Sequence, residues 1–157
     1  FGGDAGGSGL WADLMVRDTQ VLSMLHASHL LVPVPVGPLR LAERGFNQSW
    51  ELGSALLRRT TAPRPRALPD ALVRLRETPD QHSLPRAQRL QNLRGAFSAH
   101  PQHVSALAGA HVLLVDDVST TGATLEAAAQ ALLDGGAARV HALVLARTPP
   151  SEPGANP

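Results

Sequence analysis

A chain of 157 residues with 43% hydrophobic and 17% charged residues suits one domain with one core, and no apolar stretch reaches the roughly 18 residues of a membrane helix. Cysteine is absent, which excludes disulfides and cysteine–zinc sites, and no secretory signal is visible behind Phe1. The formal net charge is +1, and all fourteen basic residues are arginine. With lysine, tyrosine and cysteine missing, almost nothing titrates above neutrality, so the pI of 9.2 overstates the basicity.

In chain order, the glycine-rich stretch 1–9 reads as a flexible lead. Leu10, Leu14, Val21, Leu22, Met24 and Leu25 fit one loose helix from Leu10 to about Ser28. "HLLVPVPV" is apolar and closed by prolines, a buried strand ending near Pro35. "GPLRLAERGF" reads as a loop carrying Arg40 and Arg44. Asn47 is placed to cap a helix over Gln48 to Arg59. "TTAPRPRALPD" is a proline-rich connector, and "ALVRLRE" a strand. The polar segment 78–94 reads either as a flexible loop or as a short surface helix from Arg86 to Leu93, before "GAFSA" returns as a strand. "HVLLVDD" is a strand, Ala123 to Leu133 a strong helix closed by Gly135 and Gly136, and "ARVHALVLAR" a further buried strand. Residues 149–157 read as a disordered tail. Strands alternating with helices predict an α/β domain over 10–148, with a mostly parallel sheet flanked by helices.

Charge is unevenly distributed. Arg40 to Arg94 holds eleven arginines against five acids, a local +6, while the rest is acidic. Such a middle either faces a polyanion or is a solvated arginine-rich surface.

The most informative stretch is "VLLVDDVSTTGAT", Val112 to Thr124. A buried strand would carry Asp116 and Asp117 to the carboxyl edge of the sheet, where ligands of such sheets bind. The turn that follows is built of small and hydroxylated residues. Its free backbone N–H groups and the helix dipole suit a phosphate. The carboxylates would repel that phosphate, so they need hydroxyl donors or a hard cation such as Mg²⁺. Phosphate beside a diol describes a 5-phosphorylated ribose. A helix N-terminus rich in threonine explains the turn without any ligand, but not the paired acids before it.

This stretch resembles the phosphoribosyl pyrophosphate (PRPP) motif of type I phosphoribosyltransferases. "PVPVGPLRLAERGFNQ" and "RLRETPDQHSLPRAQRLQNLRGAF" extend the resemblance to the ComF family of competence proteins, over about Leu30 to Arg147. The resemblance implies a type I phosphoribosyltransferase-like fold with a flexible lid hairpin, and residues 10–29 as the remnant of a hood. It implies that Asp116 and Asp117 bind the ribose hydroxyls. Ser119, Thr120, Thr121, Gly122, Ala123 and Thr124 would then hold the 5-phosphate. Arg40 and Arg44 would lie in the pyrophosphate loop, where guanidinium forks match phosphate oxygens. Catalytic roles would fall to Asp117, and to Arg86 and Arg89 as neutralisers of a leaving pyrophosphate. Mg²⁺ would arrive with PRPP, with Asp116 and Asp117 as its carboxylates.

Family members commonly start with a cysteine-rich zinc-binding segment; the sequence from Phe1 holds none, being either trimmed or from a member that lost it. The expected function is PRPP or nucleotide binding that assists DNA uptake in natural transformation. The alternatives are an active transferase with an unidentified acceptor and a PRPP or nucleotide sensor without turnover. Expected partners are single-stranded DNA and DNA-uptake proteins, and a homodimer is also admitted. The expected location is the cytoplasm.

Overall fold

A computed structural model describes residues 5–76, 84–119 and 121–148. The first helix, α1, spans Ala5–Met15, so residues 5–9, expected as flexible lead, are helical. The single helix expected from Leu10 to Ser28 is two. Asp18 breaks it and caps α2, Thr19–Ala27, its carboxylate accepting from the Gln20 and Val21 amides at 2.7 and 3.4 Å. Strand β1, Leu30–Pro33, follows and is wholly buried.

The loop expected at "GPLRLAERGF" is instead a seven-residue helix, α3, Pro38–Arg44. Pro38 occupies its first turn, where no N–H is needed, and Gly45 ends it with φ +78°. Helix α4, Gln48–Arg59, is capped by Asn47 as expected. A two-residue strand, β2, Arg66–Ala67, lies inside the proline-rich connector. Strand β3, Leu72–Arg74, pairs antiparallel with β4, Phe97–Ala99. Between them runs α5, Arg86–Leu93. Of the expected flexible segment 78–94, residues 78–83 lie outside the described residues, as do residues 1–4 of the lead and the tail 149–157. A 3₁₀ turn and the four-residue α6, Val104–Leu107, then lead to β5, His111–Ser119. Helix α7, Ala123–Asp134, and β6, Arg139–Arg147, complete the described chain.

The main sheet is parallel throughout, in the order β2-β1-β5-β6. Alternation along the strands divides the core into two layers. Leu31, Leu113 and Val115 pack with Leu25, Leu52 and Leu56 of α2 and α4. Val32, Val112 and Leu114 pack with Leu107, Leu132 of α7 and the hairpin residues Leu72 and Phe97. Each fully buried leucine contributes roughly 2 kcal/mol of apolar transfer. Close approach is built in at Gly53 of α4, where a Cβ would lie 2.7 Å from Leu31 Cδ2. The hairpin and α5 are tied to the main body through α7, with Leu90 and Leu93 reaching the second layer.

Candidate functional site

Strand lengths create the site. β1 ends where Pro33 pairs with Val115, whereas β5 and β6 stay paired as far as Ser119 and Arg147. Asp116 and Asp117 therefore lie within β5, which runs two residues past its expected end at Asp117, and they pass the end of β1. The gap left by β1 is filled by the start of α4. Asn47 holds that start in place, its Oδ1 accepting from the Ser49 and Trp50 amides at 3.0 and 3.3 Å. Its Nδ2 donates to the Val34 carbonyl at 3.1 Å, which ties the helix to the chain leaving β1.

Asp116 is 8% exposed. The Ser49 hydroxyl donates to its Oδ1 at 2.9 Å, and the Asp117 amide to the same oxygen at 3.0 Å. Among the described residues both of its hydrogen bonds fall on Oδ1. Burial pushes the Asp116 carboxyl up to about 7; the Ser49 bond opposes the rise and the charge of Asp117 adds to it. Near neutrality this carboxyl is therefore poised between acid and carboxylate. Asp117 is half-buried. Ser49 was not foreseen; the structure buries it in the first turn of a helix whose other inward residues are apolar.

Ser119, expected in the turn, is the last residue of β5, and the turn into α7 follows it. Ser119 is buried at the strand end and Thr120 lies outside the described residues. Thr121 Oγ1 accepts from the Ala123 amide at 3.5 Å. Gly122 adopts φ +78° at the N-cap of α7 and offers no side-chain cap to the helix. A Cβ there would meet nothing within 4 Å. Ala123 is buried and Thr124 half-buried at the head of α7. Backbone N–H groups at such a terminus, with the helix dipole behind them, suit a phosphate.

The arginines are placed unequally. Arg40 and Arg44 sit on α3 rather than on an open loop, and Arg44 Nη1 donates to Gln48 Oε1 at 2.7 Å. Gln48 adjoins Ser49, so Arg44 stands one residue from the partner of Asp116. Arg86 opens α5, its side chain outside the described set, and Arg89 Nε donates to the Leu84 carbonyl at 2.7 Å. Arg76 Nη2 holds the far end of α5 through the Asn92 and Arg94 carbonyls, both at 2.6 Å. Among the described histidines, the His29 and His111 rings stack 4.9 Å apart, and His103 meets Asp70 at 2.9 Å.

A family profile described as a phosphoribosyl transferase domain matches residues 53–154. DNA utilization protein YhgH of Escherichia coli K12 is 37% identical over 136 residues, covering 82% of this chain and 57% of that protein. Competence protein F of Haemophilus influenzae is 34% identical over 134 residues, covering 85% and 57%. Competence protein ComFC of Bacillus subtilis is 34% identical over 120 residues, covering 76% and 45%. The chain thus spans about half the length of the curated relatives it matches. Among solved structures, a purine phosphoribosyltransferase from Pyrococcus horikoshii aligns with a TM-score of 0.46 at 18% identity, covering 92% of this chain and 79% of that one.

Proposed function

We propose that this chain, which belongs to the phosphoribosyl transferase domain family, binds a 5-phosphorylated ribose, as PRPP or a nucleotide, and serves DNA uptake or use. The observation that carries the reading is one edge of the sheet. There Ser49 in the first turn of α4 meets Asp116, Asp117 stands beside it, and the chain turns from β5 into α7. The names of the relatives, DNA utilization protein and competence protein, support the cellular role.

In this reading the amides at the head of α7, with the hydroxyls of Ser119, Thr120, Thr121 and Thr124, hold the 5-phosphate. Gly122 and Ala123 leave its oxygens room against the backbone. Asp117 and Oδ2 of Asp116 accept the ribose hydroxyls. Ser49 and the Asp117 amide occupy Oδ1 of Asp116 and so fix its orientation. Arg44 and Arg40 on α3 face the pyrophosphate, and Arg86 and Arg89 on α5 supply positive charge as it leaves if turnover occurs. Ionised Asp116 accepts from a hydroxyl better than the protonated form does, so ligand affinity rises with pH through about 7.

The residues fit a cation brought by the ligand. Among the described residues no cluster of three His, Cys, Asp or Glu side chains forms a cage, while Mg²⁺ is commonly held by one or two carboxylates and substrate phosphates. Asp117, with Asp116 when ionised, would be its protein ligand. Bound there, Mg²⁺ would offset charge on the pyrophosphate.

A thermal-shift panel tests the reading. PRPP and ribose 5-phosphate, each with Mg²⁺, are expected to raise the midpoint, with inorganic phosphate at equal concentration much weaker. Equal shifts from all three would reduce the site to a phosphate pocket and overturn the ribose assignment.

A further inference from the structure

Helix α4 brings its first turn to Asp116 and its last turn to the opposite end of the sheet, where Arg66 pairs with Leu30 at the start of β1. A cleft of about 460 Å³ opens there, lined by Arg58, Arg64 and Arg66 together with Leu57 and Pro65. No acid lines it.

The neighbouring Arg59 shows what a neutralised arginine looks like in this region. Its guanidinium grips Asp13 with both Nε and Nη2, at 2.5 and 3.3 Å. The three cleft arginines are engaged differently. Arg58 Nη1 donates to Ser54 Oγ at 2.6 Å, and Arg64 Nη1 to the Leu57 carbonyl at 2.8 Å. Each bond uses one N–H of five, orients the fork and leaves the charge unneutralised. Arg66 makes no side-chain hydrogen bond or ion pair among the described residues. Compensation of the α4 dipole accounts for Arg58 and Arg64 at the helix end. It does not account for Arg66, which sits on the edge strand.

We propose that this cleft binds the sugar-phosphate backbone of a nucleic-acid strand, at a site separate from the carboxylate edge. Three guanidiniums around one opening match phosphate oxygens in charge and fork geometry. Arg58, Arg64 and Arg66 put three positive charges at one opening with no acid among the lining residues, which suits successive phosphates of a polyanion rather than a single one. No aromatic lines the cleft, so contact is with the backbone and carries no base preference. The choice of nucleic acid over another polyanion rests on the reading given under Proposed function.

The test is fluorescence anisotropy of a labelled single-stranded oligothymidylate, titrated over a range of salt concentrations. Arg66→Glu and the double variant Arg58→Gln/Arg66→Gln are compared with wild type, and Arg66→Lys serves as the charge-preserving control. Both charge-removing variants avoid Arg64, whose bond holds the end of α4. Expected are a loss of about tenfold or more in affinity, a double-variant log–log salt slope reduced by about 1.4, and near-wild-type binding by Arg66→Lys. An abasic strand is expected to bind within about threefold of the oligothymidylate. No binding by wild type, or unchanged affinity and slope in the folded variants, overturns the proposal. Equal displacement of the strand by polyglutamate at matched charge overturns the assignment to nucleic acid. The same variants are titrated with PRPP. Retained PRPP response with lost strand binding assigns the cleft alone; lost PRPP response in wild type with retained strand binding removes the ribose reading and leaves the cleft.

Discussion

At the scale of single residues, Asp116 carries the largest consequence. Its carboxyl ordinarily titrates at 3.8 and is pushed up to about 7 by burial. Between those values the unfolded chain has given up a proton that the folded chain keeps. Asp116 therefore supports the fold fully below about 4, and this contribution is lost as pH rises through about 7. The cost of ionising it in place is on the order of 4 kcal/mol above that range. Asp116→Asn keeps an oxygen for Ser49 and removes the charge. Urea unfolding at pH 5 and pH 8 is expected to show wild type weakening by a few kcal/mol with little change in the variant. A wild-type stability that is flat over this range would contradict the burial argument. Asp116 and Asp117 were visible in the sequence because two acids directly after four apolar residues are rare in a buried strand. Ser49 was not visible, because its bond to Asp116 spans 67 positions of the chain and no local pattern carries it.

At the scale of elements, local chemistry was readable and lateral pairing was not. Asn47 before an amphipathic run marked the start of α4, and Gly135 the end of α7. The helix α3 carried the same kind of signal, Pro38 at its start and Gly45 at its end, but its arginines and glycines read first as a loop. Strand β2 is two residues long and exists only because β1 offers it a parallel edge, which sequence periodicity cannot register. The continuation of β5 to Ser119 likewise depends on its partner β6. The turn into α7 makes a sharp test. Gly122 stands at φ +78° with open space where a Cβ would go, so Gly122→Ala meets backbone strain without a clash. The expected cost is about 1 kcal/mol in stability, with PRPP affinity falling further because the turn amides shift. Chemical unfolding and calorimetry on one preparation separate the two, and a loss confined to stability would remove the turn from the ligand site.

At the scale of the whole molecule, the sheet separates two chemistries. Its carboxyl edge gathers the acids, the hydroxyl-rich turn and the first turn of α4. Its opposite end gathers the arginine cleft. Helix α4 reaches both and packs closely against β1 at Gly53 and Leu31 between them. The charge asymmetry of the sequence could not locate the cleft, since the eleven arginines are brought into groups only by the fold. The most direct measurement is calorimetric titration of PRPP with Mg²⁺ into wild type and into an Asp116→Asn/Asp117→Asn double variant shown to be folded. Saturable binding by wild type and none by the variant is the predicted result; binding that survives in the variant, or is absent from both, would contradict a ribose-phosphate site at this edge.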